Sequence, residues 1–152
     1  MNVQSYLDKL GVQYRVSHHP TAFTAQDLAA AEHVPGRKVV KPVVTRADGR
    51  FVMCVLPASH KVDLDALRDQ LQAQDVSLVE EDRLPELFPN CELGAEPPIG
   101  KMFNLPTLMD ESVMADDQVT FQAGNHCDAI TMSLAEYRRA AMPEVGYFAR
   151  HI

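Results

Sequence analysis

The sequence predicts an α+β fold, with helices interspersed among six or seven short strands. Three observations lead there. Residues 39–44 hold four valines in six positions, and residues 51–56 are apolar throughout, so two neighbouring strands are indicated. Asp48-Gly49 between them is the signature of a tight hairpin turn. Elsewhere helical spacing follows good capping residues, at Asn2, Thr24, Asp63 and Ser133. With 152 residues, 46% of them hydrophobic, residues 1–152 read as one domain with a real core.

Taken in order, Asn2 caps a helix whose Val3, Tyr6, Leu7 and Leu10 share a face, and Gly11 stops it. Residues 12–16 alternate apolar and polar as a strand does, and His18-His19-Pro20 closes it. Adjacent histidines on a strand point to opposite faces, so this pair is a poor chelator. Thr24-Ala25-Gln26-Asp27 is a capping box with Asp in place of Glu, and the alanine-rich helix behind it stops before Val34-Pro35-Gly36. The valine strand follows, with Lys41 in its middle. Lysine is seldom buried without a partner. Lys41 therefore sits either on a wet strand edge or in a cleft, where its point charge can hold a phosphate, a carboxylate or a developing oxyanion. Pro42 beside it marks an edge or an irregular strand, because proline donates nothing to a ladder.

The return strand is apolar on both faces and so central, with Cys54 as a core thiol. Residues 58–61 read as a loop that exposes His60 and Lys61 to solvent. Asp63 caps a helix with Leu64, Leu67 and Leu71 on one face, residues 76–79 form a short strand, and Glu80, Glu81 and Asp82 open a short helix where acids suit the dipole. Gly94-Ala95-Glu96-Pro97-Pro98-Ile99-Gly100 is a stiff loop of special backbone angles. It is either a plain surface connection or a means of bringing backbone N–H groups close to a ligand. After a short strand beyond Leu105, strands at 119–123 and 129–132 pair through the Gly124-Asn125 turn. Ser133 and Glu136 form a capping box for a last helix, which Pro143 ends before a short tail.

Net charge is −7, yet residues 1–61 hold eight Lys/Arg against four Asp/Glu, and residues 62–152 hold six against seventeen. One basic face on an acidic protein can meet a phosphate, but tight binding of long nucleic acid, DNA included, is not indicated. No apolar run is long enough to cross a membrane, and the opening residues lack a secretory pattern. Cys54, Cys91 and Cys127 are odd in number and far apart, which fits a reduced, cytoplasmic setting without disulfides. No His/Cys/Asp spacing supports a metal, and no G-x-G-x-x-G, P-loop or G-x-S-x-G motif points to a nucleotide cofactor or a serine nucleophile.

Four pieces in order bring the chain close to a known family. They are His19-Pro20 with Thr24, the lysine of Val39-Val40-Lys41, the G-x-x-x-P loop from Gly94 to Pro98 followed by Ile99-Gly100, and the Gly124-Asn125-His126 turn. Together, with Leu56-Pro57-Ala58 closing the second strand, they resemble the YbaK/prolyl-tRNA-synthetase-associated domain family of aminoacyl-tRNA deacylases over nearly the whole chain. The resemblance implies a strongly curved mixed β-sheet with flanking helices. It implies hydrolysis of the ester of a mischarged small amino acid (alanine, cysteine or serine) on tRNA, with tRNA(Pro) as the expected carrier and prolyl-tRNA synthetase as a partner. Lys41 matches the lysine that positions the terminal nucleotide. Gly94 and Pro98 match the loop that holds the aminoacyl group and helps place water. Ala95, Glu96, Pro97, Gly124, His126, Thr24 and His19 fall at substrate-contacting positions. Pro42 departs from the pattern and keeps a second reading open: a non-catalytic module that binds aminoacyl-tRNA or a synthetase.

Hydrolysis of an aminoacyl ester needs no protein nucleophile. The ester is already activated, so orienting it with water and stabilising an oxyanion suffices.

Overall fold

Capping residues decide where the helices begin. The computed structural model describes residues 2–152. Asn2 accepts from the Ser5 amide to start α1 (Val3–Leu10), and Gly11 ends it in the left-handed region. The capping box forms at α2 (Ala25–Ala31): Thr24 Oγ1 accepts from the Asp27 amide at 3.0 Å, and the Asp27 carboxylate accepts from the Thr24 amide. Asp63 caps α3 (Leu64–Leu71), α4 (Leu84–Leu87) is a single turn, and Ser133 caps α5 (Leu134–Ala141). The box at α5 stays half made, because the Glu136 carboxylate accepts from the Gln13 amide at 2.8 Å instead.

The strands are β1 (Arg15–His18), β2 (Val40–Ala47), β3 (Arg50–Pro57), β4 (His60–Val62), β5 (Val76–Leu78), β6 (Thr107–Asp110), β7 (Gln118–Gln122), β8 (Asp128–Ser133), β9 (Glu144–Gly146) and β10 (Ala149–His151). They divide into a mixed five-stranded sheet in the order β5-β2-β3-β6-β9, a three-stranded sheet β1-β8-β7, and a two-stranded ribbon β10-β4. The α+β class and the mixed pairing are therefore as the sequence suggests. The single, strongly curved sheet of six or seven strands is not. A lone bridge from Val39 to Thr120 is the contact that joins the two larger sheets edge to edge. Three short strands, β4, β9 and β10, replace what reads in the sequence as loop and tail.

β2 and β3 pair along their full length, from Val40 opposite Pro57 to Ala47 opposite Arg50, and β3 lies centrally between β2 and β6. The main core fills the space between the two larger sheets. Val44, Met53, Val55 and Met109 from one meet Phe121 and Ile130 from the other, with Leu7 of α1 and Tyr137 of α5 beside them. On the other face of the five-stranded sheet, Val52, Cys54 and Leu108 pack against Leu67 of α3 and Phe148. One edge decides where a site can form. β5 covers β2 only from Thr45 to Ala47, and the bridge at Val39 covers its other end, so no strand covers 40–44 on that side.

Candidate functional site

The uncovered edge of β2 carries Pro42. The Val44 carbonyl accepts from the Val79 amide at 3.0 Å, on the side away from β3. Alternate residues of a strand present their backbone to the same side, so Pro42 also faces that edge. Its missing N–H breaks no bond of the β2–β3 ladder. The opening is a cavity of about 230 Å³, walled by Pro42, Val43, Val44, Val79, Phe88 and Glu96 among others.

Glu96 brings the Gly94 loop to this cavity. It is only 8% exposed, and both carboxylate oxygens accept from the Gly94 amide, at 3.1 and 3.0 Å. Burial raises its pKa above the usual carboxylate value, and the Gly94 N–H and the nearby His126 partly offset that rise. Gly94 adopts φ +88°, a left-handed conformation that suits glycine. A Cβ there would stand 3.3 Å from the Phe23 carbonyl oxygen and 3.5 Å from His126 Cε1. The loop is held from several sides. The Gly124 amide donates to the Ala95 carbonyl at 2.9 Å, the Glu92 amide to the Gly124 carbonyl at 2.8 Å, and buried Tyr137 donates its hydroxyl proton to the Pro98 carbonyl.

Further hydrogen bonds bolt the segment around His19 and Thr24 to the turn at Gly124. The His19 amide donates to the Cys127 carbonyl at 2.8 Å, and the Ala22 amide to the His126 carbonyl at 2.9 Å. The Ala22 carbonyl faces both His126 Nδ1, at 3.0 Å, and Gln122 Nε2, at 2.9 Å. A carbonyl can only accept, so Nδ1 donates here, and in the neutral imidazole Nε2 is then the acceptor. His19 Nε2 and Gln122 Oε1 are buried polar atoms without a partner among the described residues. The Thr24 hydroxyl is committed to the helix cap.

Lys41 approaches from the strand. It is half-buried, burial lowers its pKa, and no carboxylate pairs with it among the described residues. It does not line the 230 Å³ cavity. Its side chain leaves the opposite face of β2 from Pro42, close enough to His60 for its charge to add to the burial that lowers that histidine's pKa. The fold thus gathers His19, Gly94, Ala95, Glu96, Pro97, Pro98, Gly124 and His126 around one loop cluster. Lys41 stands one residue along the strand from the cavity wall.

Phe23 carries no motif that would single it out in the sequence. It is 66% exposed, its ring centroid lies 5.0 Å from that of His126, and its carbonyl abuts Gly94. Its position just before the Thr24 cap reads as a hydrophobic staple to the helix. Its exposure is the feature that sets it apart, and exposure is not written in the sequence. Among the described residues, no group of three or more His, Cys, Asp or Glu side chains could hold a metal ion, and no helix is long and apolar enough to cross a membrane.

The sequence model of the aminoacyl-tRNA editing domain matches residues 19–140. The multifunctional Ser/Thr-tRNA deacylase ProXp-y of Escherichia coli (strain K12) is 25% identical over 149 residues, covering 95% of this chain and 89% of its own. A proline–tRNA ligase of Leuconostoc citreum (strain KM20) is 30% identical over 109 residues, 72% of this chain but only 19% of that ligase. The solved structure of a candidate trans-editing enzyme for prolyl tRNA synthetase superposes with a TM-score of 0.86 at 19% identity, covering 97% of this chain and 94% of its own. At that identity the likeness is one of fold.

Proposed function

The chain belongs to the aminoacyl-tRNA editing domain family, and from that premise we propose that residues 1–152 form an editing deacylase domain. It hydrolyses the ester joining a wrongly attached small amino acid to the terminal ribose of tRNA. The observation that carries this reading is the meeting of the Gly94 loop and its buried Glu96 with the uncovered edge of β2, one residue along the strand from Lys41.

Each part has a chemical task. Lys41, partly desolvated and without an acidic partner, holds the terminal nucleotide's phosphate as a point charge. The Glu96 carboxylate, facing an otherwise largely apolar cavity, takes the α-ammonium of the aminoacyl group. A cavity of about 230 Å³ falls below the roughly 300–1,000 Å³ of drug-sized ligand pockets, which suits alanine, cysteine or serine. His126 Nε2 is free to accept a proton or a hydrogen bond from water or a ribose hydroxyl. The exposed Phe23 ring offers a surface on which the terminal base can stack. No step calls for a metal or a cofactor.

The Escherichia coli relative named for Ser/Thr-tRNA deacylation supports serine within that class. Matching stretches in two proline–tRNA ligases support tRNA(Pro) as carrier and a prolyl-tRNA synthetase as partner, and the cytoplasm is the setting we propose. The non-catalytic alternative draws on the acidic net charge and on Pro42. That proline's backbone faces the open edge, so the substitution alone does not argue for a lost activity.

The test is hydrolysis of tRNAs charged with alanine, cysteine, serine and proline by wild type and by Lys41→Ala, with EDTA in one arm. Lys41 makes no ion pair, so the variant should fold. Selective loss of one mischarged species with wild type alone, insensitive to EDTA, is the expected result. No hydrolysis of any species, or equal hydrolysis by Lys41→Ala, refutes the proposal.

A further inference from the structure

The β4–β10 ribbon sets like charges opposite one another. Arg150 pairs with Lys61 and His151 with His60, with Ala149 opposite Val62. Side chains directly opposite across an antiparallel pair lie about 5 Å apart, and like charges there repel. Lys61 and Arg150 are exposed, and among the described residues neither makes an ion pair or a side-chain hydrogen bond. By contrast, five other arginines each have a carboxylate within 3.6 Å. The ribbon's other face brings the rings of His60 and His151 to 5.1 Å. The nearby Asp110, whose charge acts on His60, makes no ion pair with Lys61 or Arg150. Its carboxylate accepts from the amides of Phe148 and Ala149 at 2.8 and 2.9 Å and from Ser112. A chain with seven excess acids has thus left a basic knot, Lys61 with Arg150, without carboxylate partners among the described residues.

The knot adjoins the candidate site. β3 passes Leu56, the cross-strand partner of Lys41, and enters β4 four residues later at His60. Lys41 lies close enough to His60 for its charge to act on that ring. The C-terminal Arg150 and His151 join a basic region that otherwise comes from residues 37–61.

We propose that the β4–β10 ribbon is a docking surface for RNA phosphates, with Lys61 and Arg150 holding the acceptor-stem backbone of the tRNA whose aminoacyl end lies at Lys41. An anion between the two side chains turns their repulsion into a paired attraction, which is the complementarity an unpartnered like-charge pair lacks. The proposal rests on the editing reading for the identity of the RNA. It extends that reading with a footprint outside the aminoacyl pocket.

The experiment measures binding of uncharged tRNA by fluorescence anisotropy across a salt series, because uncharged tRNA carries no ester. Wild type is compared with Lys61→Ala/Arg150→Ala and with Arg68→Ala/Arg139→Ala, which removes the same charge elsewhere. Each phosphate contact contributes about 0.7–0.9 to the slope of log affinity against log salt. The ribbon variant should therefore lose about 1.4–1.8 of slope, and bind at least about tenfold more weakly near 0.1 M salt. Lys61→Arg/Arg150→Lys should bind like wild type. A ribbon variant no weaker than the Arg68/Arg139 control, or a wild type that binds no tRNA at the lowest salt, overturns the proposal. Absence of deacylation by wild type, with the slope change of the ribbon variant intact, refutes the editing reading and leaves the ribbon assignment standing.

Discussion

Gly94→Ala isolates the geometry of the loop. At φ +88° an L-residue with a Cβ is strained by about 1–2 kcal/mol. The added carbon would also stand 3.3 Å from the Phe23 carbonyl oxygen and 3.5 Å from His126 Cε1, so one neighbour must give. For a chain of this size about 1 kcal/mol lowers the melting temperature by roughly 2–4 °C, which gives a drop of about 2–8 °C. Misplacement by about 1 Å can cost about a hundredfold in rate, so a smaller loop shift should still lower kcat/KM about tenfold. Gly49→Ala is the control. That residue has φ +84° on the β2–β3 hairpin, and a Cβ there would meet nothing within 4 Å. It should melt lower by a similar amount and hydrolyse like wild type. Thermal melts and deacylation of the preferred mischarged tRNA are the readouts. A Gly94→Ala protein with the control's melt and wild-type turnover would show that the left-handed turn does not set the site.

Three further outcomes follow from burial and hydrogen bonding. Glu96 has a folded-state pKa raised above its ordinary 4.5 by burial, so the folded protein holds that proton more tightly and stability falls as pH rises from there through the raised value. Glu96→Gln should be more stable than wild type at neutral pH and lose that slope in urea titrations; a slope unchanged by the substitution would contradict the assignment. Burial pushes the Cys54 thiol up to about 12 and the Cys91 thiol to about 11, while Cys127 is exposed. Iodoacetamide followed by mass spectrometry should find Cys127 labelled first and Cys54 only on unfolding, and equal native labelling would refute that burial. Tyr137→Phe removes the fully buried hydroxyl that donates to the Pro98 carbonyl and should cost about 1–3 kcal/mol, read as a lower urea midpoint; an unchanged midpoint would mean the bond contributes nothing to holding the loop.

Local chemistry was legible in the sequence wherever one residue suffices to decide it. The caps at Asn2, Thr24, Asp63 and Ser133, the Asp48-Gly49 hairpin and the central position of β3 all stand as read. β4, β9 and β10 were not legible. A three-residue strand carries no period, and its pairing comes from partners as distant as Val62 and Ala149. The division into three sheets was hidden for the same reason, since it depends on where β5 stops along β2. Of the site, the Gly94 loop could be seen as a stiff turn and Lys41 as an oddly placed cation. His126 drew notice only through family resemblance. Its bond to the Ala22 carbonyl spans 104 residues, and no local pattern encodes that.

Pro42 also bears on how the molecule behaves in a crowded solution. A strand edge with free donors and acceptors invites the edge of another copy, and such pairing is a common first step toward aggregation. The stretch of β2 that faces the cavity is apolar and otherwise well suited to that reaction. A proline there offers no donor to an incoming strand and sets its ring in the way. Pro42 thus leaves an opening accessible to a small molecule while closing it to another chain.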